Sequence, residues 1–197
     1  MKSVNPSKRW NEILSIALEI IHRKGYYNLT IRNIADKIGI SEAAIYRHFE
    51  NKEEIISELC NLVFTKNKFW YEYTSSENPQ KLLQDIMLNQ LKILKANPYL
   101  SAILFQEDIF TEYPKIKEKM NQYRNRNENI LKDIITEGQK NYKISTKIKP
   151  SVFAILYMGS IRILVLKWRQ SNFSYPLEEE AKQILRQLLD FVSIREE

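Results

Sequence analysis

The sequence has 197 residues, of which 44% are hydrophobic and 27% charged, a balance that supplies a folded core and excludes a disordered chain. Residues 1–52 hold nine Lys and Arg against five Asp and Glu, a net charge of +4, whereas the remainder holds 21 against 19, a net charge of +2. Cys60 is the single cysteine, so neither an intrachain disulfide nor a thiolate metal cluster can form. The positive charge at the start of the chain suits a polyanionic partner.

Apolar residues recur with the period of an α-helix along the whole chain, and no alternating strand pattern is found. The first stripe consists of Trp10, Ile13, Leu14, Ala17, Leu18 and Ile21, and the helix is predicted to end at Gly25. Further helices are predicted to begin at Pro79, Pro98, Pro114, Pro150 and Pro176. The predicted fold class is all-α, with about nine helices.

The most informative segment runs from Thr30 to Phe49. Thr30 is predicted to cap a short helix that ends at Gly39, and Ser41 to cap a second short helix. Two short helices joined through a glycine and crossing over shared aliphatic residues form a helix-turn-helix. The second helix is predicted to bury Ala44, Ile45 and Phe49, and to turn Glu42, Ala43, Tyr46, Arg47 and His48 outward. Such an outward face can reach the base edges and phosphates of duplex DNA.

These residues resemble a known family. Thr30, Ile34-Ala35, Gly39-Ile40-Ser41, Ile45-Tyr46, Phe49 and Lys52-Glu53-Glu54 are similar to the N-terminal signature of the tetracycline-repressor (TetR) family. The resemblance covers about residues 8–65 and implies phosphate contacts by Thr30, Tyr46 and Lys52. Ala43 is a mild departure, because the family often has glycine or serine there. The predicted DNA-binding residues are Thr30, Arg32, Ser41, Glu42, Ala43, Ala44, Tyr46, Arg47, His48 and Lys52.

Some of these residues have a second interpretation that the sequence leaves open. Tyr46 can pack over Ile31 instead of contacting phosphate, and Lys52 can pair with Glu50. We expect residues 1–52 to form the helix-turn-helix domain and residues 53–197 to form an effector-binding and dimerisation bundle.

Aromatic and methionine side chains are frequent in the second domain. At helical spacing they serve either as core or as the lining of the effector cavity that the resemblance implies. The candidate effector residues are Phe64, Trp70, Met87, Leu91, Phe105, Tyr123, Tyr157, Arg162 and Trp168. Arg162 lies within an apolar run, where it can anchor an anionic group of the effector or pair with a carboxylate such as Glu107 or Asp108. The run from Gly159 to Trp168 is similar to regulators that respond to fatty acids, so we expect a small, hydrophobic, fatty-acid-like effector.

The helix that begins at Pro150 is apolar on almost every side and must therefore be covered on every side. The last helix also carries one clean apolar stripe. In the TetR family the last two helices of each subunit form a four-helix dimer interface, and the resemblance implies the same here. The predicted interface residues are Ile155, Gly159, Leu166, Ile184, Leu188 and Val192. The alternative is that these side chains complete the core of one protomer.

The predicted function is sequence-specific binding of a pseudo-palindromic DNA operator by a homodimer. We expect a repressor that a small, largely apolar effector releases. The alternative is a DNA-bound adaptor that recruits another protein without an effector. Because no phosphate-binding loop, nucleophile motif or metal-ligand pattern is found, we expect no enzyme activity, no cofactor and no metal. The apolar run Val152–Leu166 is shorter than the ~18 residues of a membrane span, so we expect a cytoplasmic protein without membrane contact.

Overall fold

The computed structural model describes residues 8–66, 78–104 and 112–193, and within these ranges the chain forms nine α-helices and no strand. The helices are α1 Lys8–Lys24, α2 Ile31–Ile38, α3 Glu42–Tyr46, α4 Lys52–Lys66, α5 Pro79–Ala96, α6 Ser101–Leu104, α7 Pro114–Lys140, α8 Pro150–Gln170 and α9 Leu177–Val192. Two short 3₁₀ turns lie at Tyr26–Asn28 and Pro98–Leu100. The all-α prediction is confirmed.

The chain divides into two compact units. The first contains the described residues of Met1–Thr65 and Tyr99–Met120, and the second those of Lys66–Pro98 and Asn121–Glu197. Residues 53–197, which are predicted to form the effector-binding and dimerisation bundle, therefore contribute segments to both units. The functional boundary at residue 52 stays a prediction.

The first unit is built on the apolar stripe of α1. Ile13, Leu14 and Ile21 are fully buried, and α1 packs against both α2 and α6. Burial of one such aliphatic side chain contributes about 1.5–3 kcal/mol. The ring of Trp10 stacks on Phe49 with 5.4 Å between centroids, which fastens the start of α1 to the chain just after α3. The helix-turn-helix therefore rests on a rigid apolar base.

The second unit packs α9 against both α5 and α8. Helix α5 begins as predicted, because the side chain of Asn78 accepts a hydrogen bond from the amide of Lys81 at 2.9 Å and Pro79 occupies the first turn. The hydroxyl of Tyr157 on α8 donates to the carbonyl of Leu83 on α5 at 2.6 Å. This buried hydrogen bond fixes α8 beside α5.

Helix α8 is longer than the apolar run Val152–Leu166. It spans Pro150–Gln170, 21 residues with a mean hydropathy of 1.5 over its most apolar window, and passes the length and composition test for a membrane span. The expectation that the apolar segment is too short to span a membrane therefore applies to Val152–Leu166 but not to the whole of α8. A single helix of this kind is weak support for a membrane span, because core helices pass the same test. Its inward face, which includes Phe153, Tyr157 and Leu164, is buried within the second unit.

Candidate nucleic-acid interface

The two helices of the helix-turn-helix are capped as the sequence predicts. The hydroxyl of Thr30 accepts a hydrogen bond from the amide of Asn33 at 3.0 Å, and that of Ser41 accepts from the amide of Ala44 at 3.2 Å. Gly39 ends α2 in the left-handed conformation, with φ of 80°. Its amide donates to the carbonyl of Ala35 at 2.9 Å. These contacts set the direction in which α3 leaves the turn.

Helix α3 presents one face to solvent and one to the core. Ile45 and Phe49 are buried, whereas Tyr46 is 53% exposed. The exposed residues that the sequence assigned to DNA contact are Thr30, Arg32, Ser41, Glu42, Ala43, Tyr46 and Arg47. Ala44, which was predicted to be buried, and His48, which was predicted to face outward, are both half-buried.

The structure makes α3 shorter than the predicted rod from Ser41 to Phe49. The helix ends at Tyr46, and Arg47 and His48 lie in the turn that follows. The amide of His48 donates to the carbonyl of Ile45 at 2.8 Å, three residues back, which tightens the last turn. Phe49 is then drawn into the core beneath Trp10. Arg47 is therefore presented from the end of the helix.

Lys52 opens α4 and lies in a small polar cluster. Its ammonium is 4.1 Å above the centroid of the Tyr26 ring and 4.0 Å from a carboxylate oxygen of Glu112. The hydroxyl of Tyr26 donates to the same Glu112 carboxylate. The backbone amide of Glu50, the predicted alternative partner of Lys52, donates a hydrogen bond to a carboxylate oxygen of Glu54 at 2.6 Å.

The electrostatics of this cluster follow from burial. Burial lowers the pKa of Lys52, and the nearby Glu112 carboxylate opposes that shift. Burial raises the pKa of Tyr26, and its hydrogen bond to Glu112 raises it further. Tyr26 therefore remains a neutral hydrogen-bond donor at neutral pH. Sequence reasoning missed Glu112, because it lies 60 positions away from Lys52 and carries no local signal.

Other charged groups beside the helix-turn-helix are paired within the protein. Arg32 lies 3.9 Å from Asp36 along α2, with both side chains largely exposed. Lys37 and Arg23 meet Glu19 at 2.8 Å and 2.9 Å. The pKa of Glu19 is lowered, and the hydrogen bond from Lys37 is the largest cause of this shift. These exposed pairs contribute little to stability but fix where the cations lie.

The candidate effector residues are distributed over both units. Met87, Leu91, Tyr123, Tyr157 and Trp168 are buried in the second unit. Phe64 is half-buried in the first unit. Arg162 lies on the exposed face of α8 instead of among the buried side chains. Trp70 and Phe105 lie outside the described residues.

One buried polar residue in the second unit was missed by sequence reasoning. Asn127 on α7 is only 4% exposed, and within the described ranges its side-chain oxygen has no hydrogen-bond partner. It follows Tyr123 by four residues, one helical turn along the same inward stripe. The sequence signal for this residue is an asparagine at a helix position where the periodic pattern places apolar residues.

The predicted dimer residues fall into two groups. Ile155, Gly159 and Leu166 are exposed on one face of α8, and Ile155 is 66% exposed. Val152, Leu156 and Ile163 are also exposed there. Leu188 and Val192 are buried within the protomer, and Ile184 is half-buried. An exposed apolar stripe of this length is typical of a protein interface.

An open cleft of about 770 Å³ lies where the chain between α7 and α8 meets the end of α9. Its lining includes Tyr142, Lys147 and Phe191, but none of the predicted effector residues. Within the described part of the chain, no group of His, Cys, Asp and Glu is arranged to hold a metal ion.

A helix-turn-helix with an exposed second helix, placed before a helical bundle, defines the class of DNA-binding regulators. The family profile of bacterial regulatory proteins of the tetR family matches residues 13–59, and that of the YsiA-like protein C-terminal region matches residues 59–190. The chain belongs to the TetR family. It is a sequence-specific DNA-binding transcriptional regulator that binds operator DNA as a homodimer.

Relatives and solved structures resemble the chain over nearly its full length. The fatty acid metabolism regulator protein of Bacillus subtilis is 24% identical and covers 96% of this chain and 97% of its own. The nucleoid occlusion factor SlmA of Vibrio cholerae is 25% identical, with 85% and 87% covered. The ketosteroid transcriptional regulator KstR2 of Mycobacterium tuberculosis has a TM-score of 0.80 at 19% identity and covers 98% of both chains. FadR from Bacillus subtilis, in complex with stearoyl-CoA, has a TM-score of 0.74 at 21% identity and covers 92% of this chain and 98% of its own.

Proposed function

We propose that the protein represses transcription by placing α3 of each protomer in the major groove of a pseudo-palindromic operator. The observation that carries this proposal is the exposed face of α3. The opposite face of α3 is buried at Ile45, and Phe49, which follows the helix, is buried as well. Ser41, Glu42, Ala43, Tyr46 and Arg47 are the candidates for base and phosphate contact. A dimer reads two half-sites about 34–36 Å apart, one turn of the duplex.

The phosphate contacts in this proposal come from the edge of the helix-turn-helix. Thr30, Tyr46 and Lys52 are assigned to this role, which the family resemblance implies. Arg32 and His48 flank them, and Ala44 allows α3 to approach the groove floor. Phosphate contacts set the register of the protein on DNA, whereas base contacts supply specificity.

We propose that a small, largely apolar, fatty-acid-like effector releases the operator. This class is supported by the similarity to the fatty acid metabolism regulator of Bacillus subtilis and to FadR in complex with stearoyl-CoA. We assign its binding to the second unit, around Met87, Leu91, Tyr123, Tyr157 and Trp168, where a chain of methylene groups would meet apolar side chains. Release requires that the effector binds one spacing of the two α3 helices better than the other.

We propose the exposed face of α8 as the main subunit interface. Ile155, Ile163 and Leu166 supply apolar area, and Gly159 permits close approach of two backbones. Apart from its chain neighbours and the backbone of its own helical turns, none of the described residues has an atom within 4 Å of a Cβ built at Gly159, which leaves space for a partner. Arg162 lies on this face and is assigned to the rim of the interface.

The DNA proposal is tested by selection of genomic fragments with the purified protein, followed by footprinting. We expect one symmetric protected site with half-sites about one helical turn apart. Tyr46→Phe removes only a hydroxyl, and we expect it to weaken binding by about tenfold or more, because a hydrogen bond to a charged phosphate is lost. Tyr142→Phe is the matched control at an exposed tyrosine outside the helix-turn-helix. If Tyr46→Phe and Tyr142→Phe bound DNA equally well, Tyr46 would not be part of the interface. Failure to select any duplex would refute the regulator proposal.

The effector proposal is tested on the selected operator with stearoyl-CoA, oleoyl-CoA and the corresponding free acids. We expect at least one to release DNA and to raise the melting temperature of the protein, since a ligand stabilises the state that it binds. Shorter acyl chains should act more weakly in proportion to the apolar area they bury. If no acyl compound changes either quantity, the fatty-acid-like class is wrong.

The DNA-bound adaptor is the second candidate, and the similarity to nucleoid occlusion factor SlmA favours it. An adaptor should keep its operator in the presence of every acyl compound. It should also occupy sites spread over the chromosome instead of a site beside a regulated promoter. Chromatin immunoprecipitation separates the two distributions.

We infer that the protein acts in the cytoplasm, where its operator DNA lies, and that it catalyses no reaction. The inference rests on the family and on a binding surface built from exposed side chains of α3 without a convergent set of nucleophile, base and electrophile.

A further inference from the structure

Lys52, Tyr26 and Glu112 form one cluster inside the first unit. Glu112 and Lys52 are separated by 4.0 Å between charged atoms, and the ring of Tyr26 lies 4.1 Å beneath the ammonium. The Tyr26 hydroxyl donates to the same oxygen of Glu112 that faces Lys52. The buried tyrosine thus holds the carboxylate in place beside the lysine.

A carboxylate in this position acts against the contact that the proposed function assigns to Lys52. The ammonium can be neutralised by Glu112 or by an operator phosphate, and a phosphate brought to it also meets the negative charge of Glu112. Both effects lower the affinity for DNA. The Lys52 side chain is 28% exposed and that of Glu112 is 50% exposed, so DNA can reach the cluster.

We propose that Glu112 is a positioning residue that competes with the DNA backbone for Lys52, held in place by the hydroxyl of Tyr26. The inference rests on the proposed function through the phosphate contact of Lys52. Glu112 sets the basal affinity of the regulator, and Lys52 leaves it when the operator binds.

The start of α7 determines where this carboxylate lies. Glu112 stands two residues before Pro114, the first residue of α7. The carbonyl of the intervening Tyr113 accepts hydrogen bonds from the amides of Ile116 at 3.0 Å and Lys117 at 2.9 Å. Because Glu112 directly precedes Tyr113 in the chain, a displacement of the first turn of α7 changes the distance from Glu112 to Lys52 and so the strength of the competition.

The experiment compares DNA affinity among Glu112→Gln, Lys52→Gln, the double variant and Glu137→Gln. Glu137 is the matched control, because it is an exposed glutamate of α7 that also faces a lysine, Lys140 at 2.6 Å. Binding is measured by fluorescence anisotropy with the selected operator and with a scrambled duplex of equal length, at several salt concentrations. Thermal unfolding of each variant verifies that it folds.

We expect Glu112→Gln to bind both duplexes about two- to fivefold more tightly at low salt, the factor that a partly exposed ion pair contributes. Lys52→Gln should bind more weakly and lower the salt slope by about one per protomer, as one phosphate contact is lost. In the Lys52→Gln background the gain from Glu112→Gln should shrink, because the competition for the ammonium is gone and only the repulsion between Glu112 and the phosphate is left. Tyr26→Phe keeps the ring and frees the carboxylate, so it should give a smaller gain in the same direction.

Three results would overturn the proposal while the protein still binds DNA. They are unchanged or weaker binding by Glu112→Gln, an equal gain from Glu137→Gln, and a gain that is undiminished without Lys52. The last two would show a general effect of net charge. If the wild-type protein bound neither duplex at low salt, the proposed function would fall and this inference with it.

Discussion

At the scale of single residues, two buried polar side chains of the second unit differ in how they are satisfied. The hydroxyl of Tyr157 donates to the carbonyl of Leu83 at 2.6 Å, and burial raises the pKa of this hydroxyl well above its usual value. The side-chain oxygen of Asn127 is equally removed from solvent, yet within the described ranges it accepts no hydrogen bond. A buried acceptor left in this state costs about 1–3 kcal/mol. A bound molecule that supplied a donor would offset that cost.

We therefore expect Asn127→Leu and Tyr157→Phe to behave in opposite ways. Asn127→Leu removes an unsatisfied acceptor, so the free energy of unfolding should stay the same or rise. Tyr157→Phe loses an existing hydrogen bond, so the free energy of unfolding should fall by about 1 kcal/mol. Both are measured by urea unfolding. Asn127→Leu should in addition shift the stearoyl-CoA release curve of the operator to higher concentration. A drop in stability with an unchanged release curve would make Asn127 a structural residue.

At the scale of elements, the helix-turn-helix depends on the geometry of the turn more than on the length of α3. Helix α3 has only five residues, Glu42–Tyr46, too few to be stable alone. Its position is set by the cap of Ser41, by the turn at Gly39 and by the burial of Ile45 and Phe49. A change in the turn therefore alters the direction of the exposed face.

Gly39→Ala tests this dependence. Gly39 has φ of 80°, and a Cβ added there meets nothing within 4 Å, so backbone strain alone sets the cost. We expect the free energy of unfolding to fall by about 1–2 kcal/mol and DNA affinity to fall with it.

Gly39→Asn is the matched variant, because asparagine adopts the left-handed conformation at a smaller cost. It should lie between wild type and Gly39→Ala in both thermal unfolding and operator binding. If Gly39→Ala matched the wild type in both, the turn would not be what orients α3.

At the scale of the whole molecule, α8 connects a buried interior with an exposed apolar surface. One face packs Phe153, Tyr157 and Leu164 into the second unit. The opposite face exposes Ile155 and Ile163, at 66% and 52% of their surface. In the proposed dimer a second copy covers this exposed face. Dimer formation through this face would explain why a helix apolar and long enough to span a membrane belongs to a DNA-binding regulator.

We expect Ile163→Glu to separate the protomers, because two charged side chains would be buried near the symmetry axis without partners. Sedimentation velocity at micromolar concentration should show a monomer. Operator affinity should fall by more than tenfold, since one protomer contacts a single half-site.

Tyr142→Glu is the control for Ile163→Glu. It places the same charge at an exposed aromatic residue outside the α8 stripe, and it should leave the dimer intact. A dimeric Ile163→Glu protein would move the interface away from this face.

The sequence by itself determined the local features of this protein. The caps at Thr30, Ser41 and Asn78, the turn at Gly39 and the helical class all depend on residues within one or two turns of each other. The family followed from the same local signature, since its motif lies in one continuous segment of the chain.

The tertiary structure decided which side of each helix is covered, because burial depends on residues far apart in the chain. It placed Leu188 and Val192 inside the protomer while leaving Ile155 and Leu166 outside, although all four belong to apolar stripes. It also brought Glu112 to Lys52 and left the oxygen of Asn127 buried without a partner in the described ranges. A periodic pattern identifies an apolar face, but only long-range packing selects what that face meets.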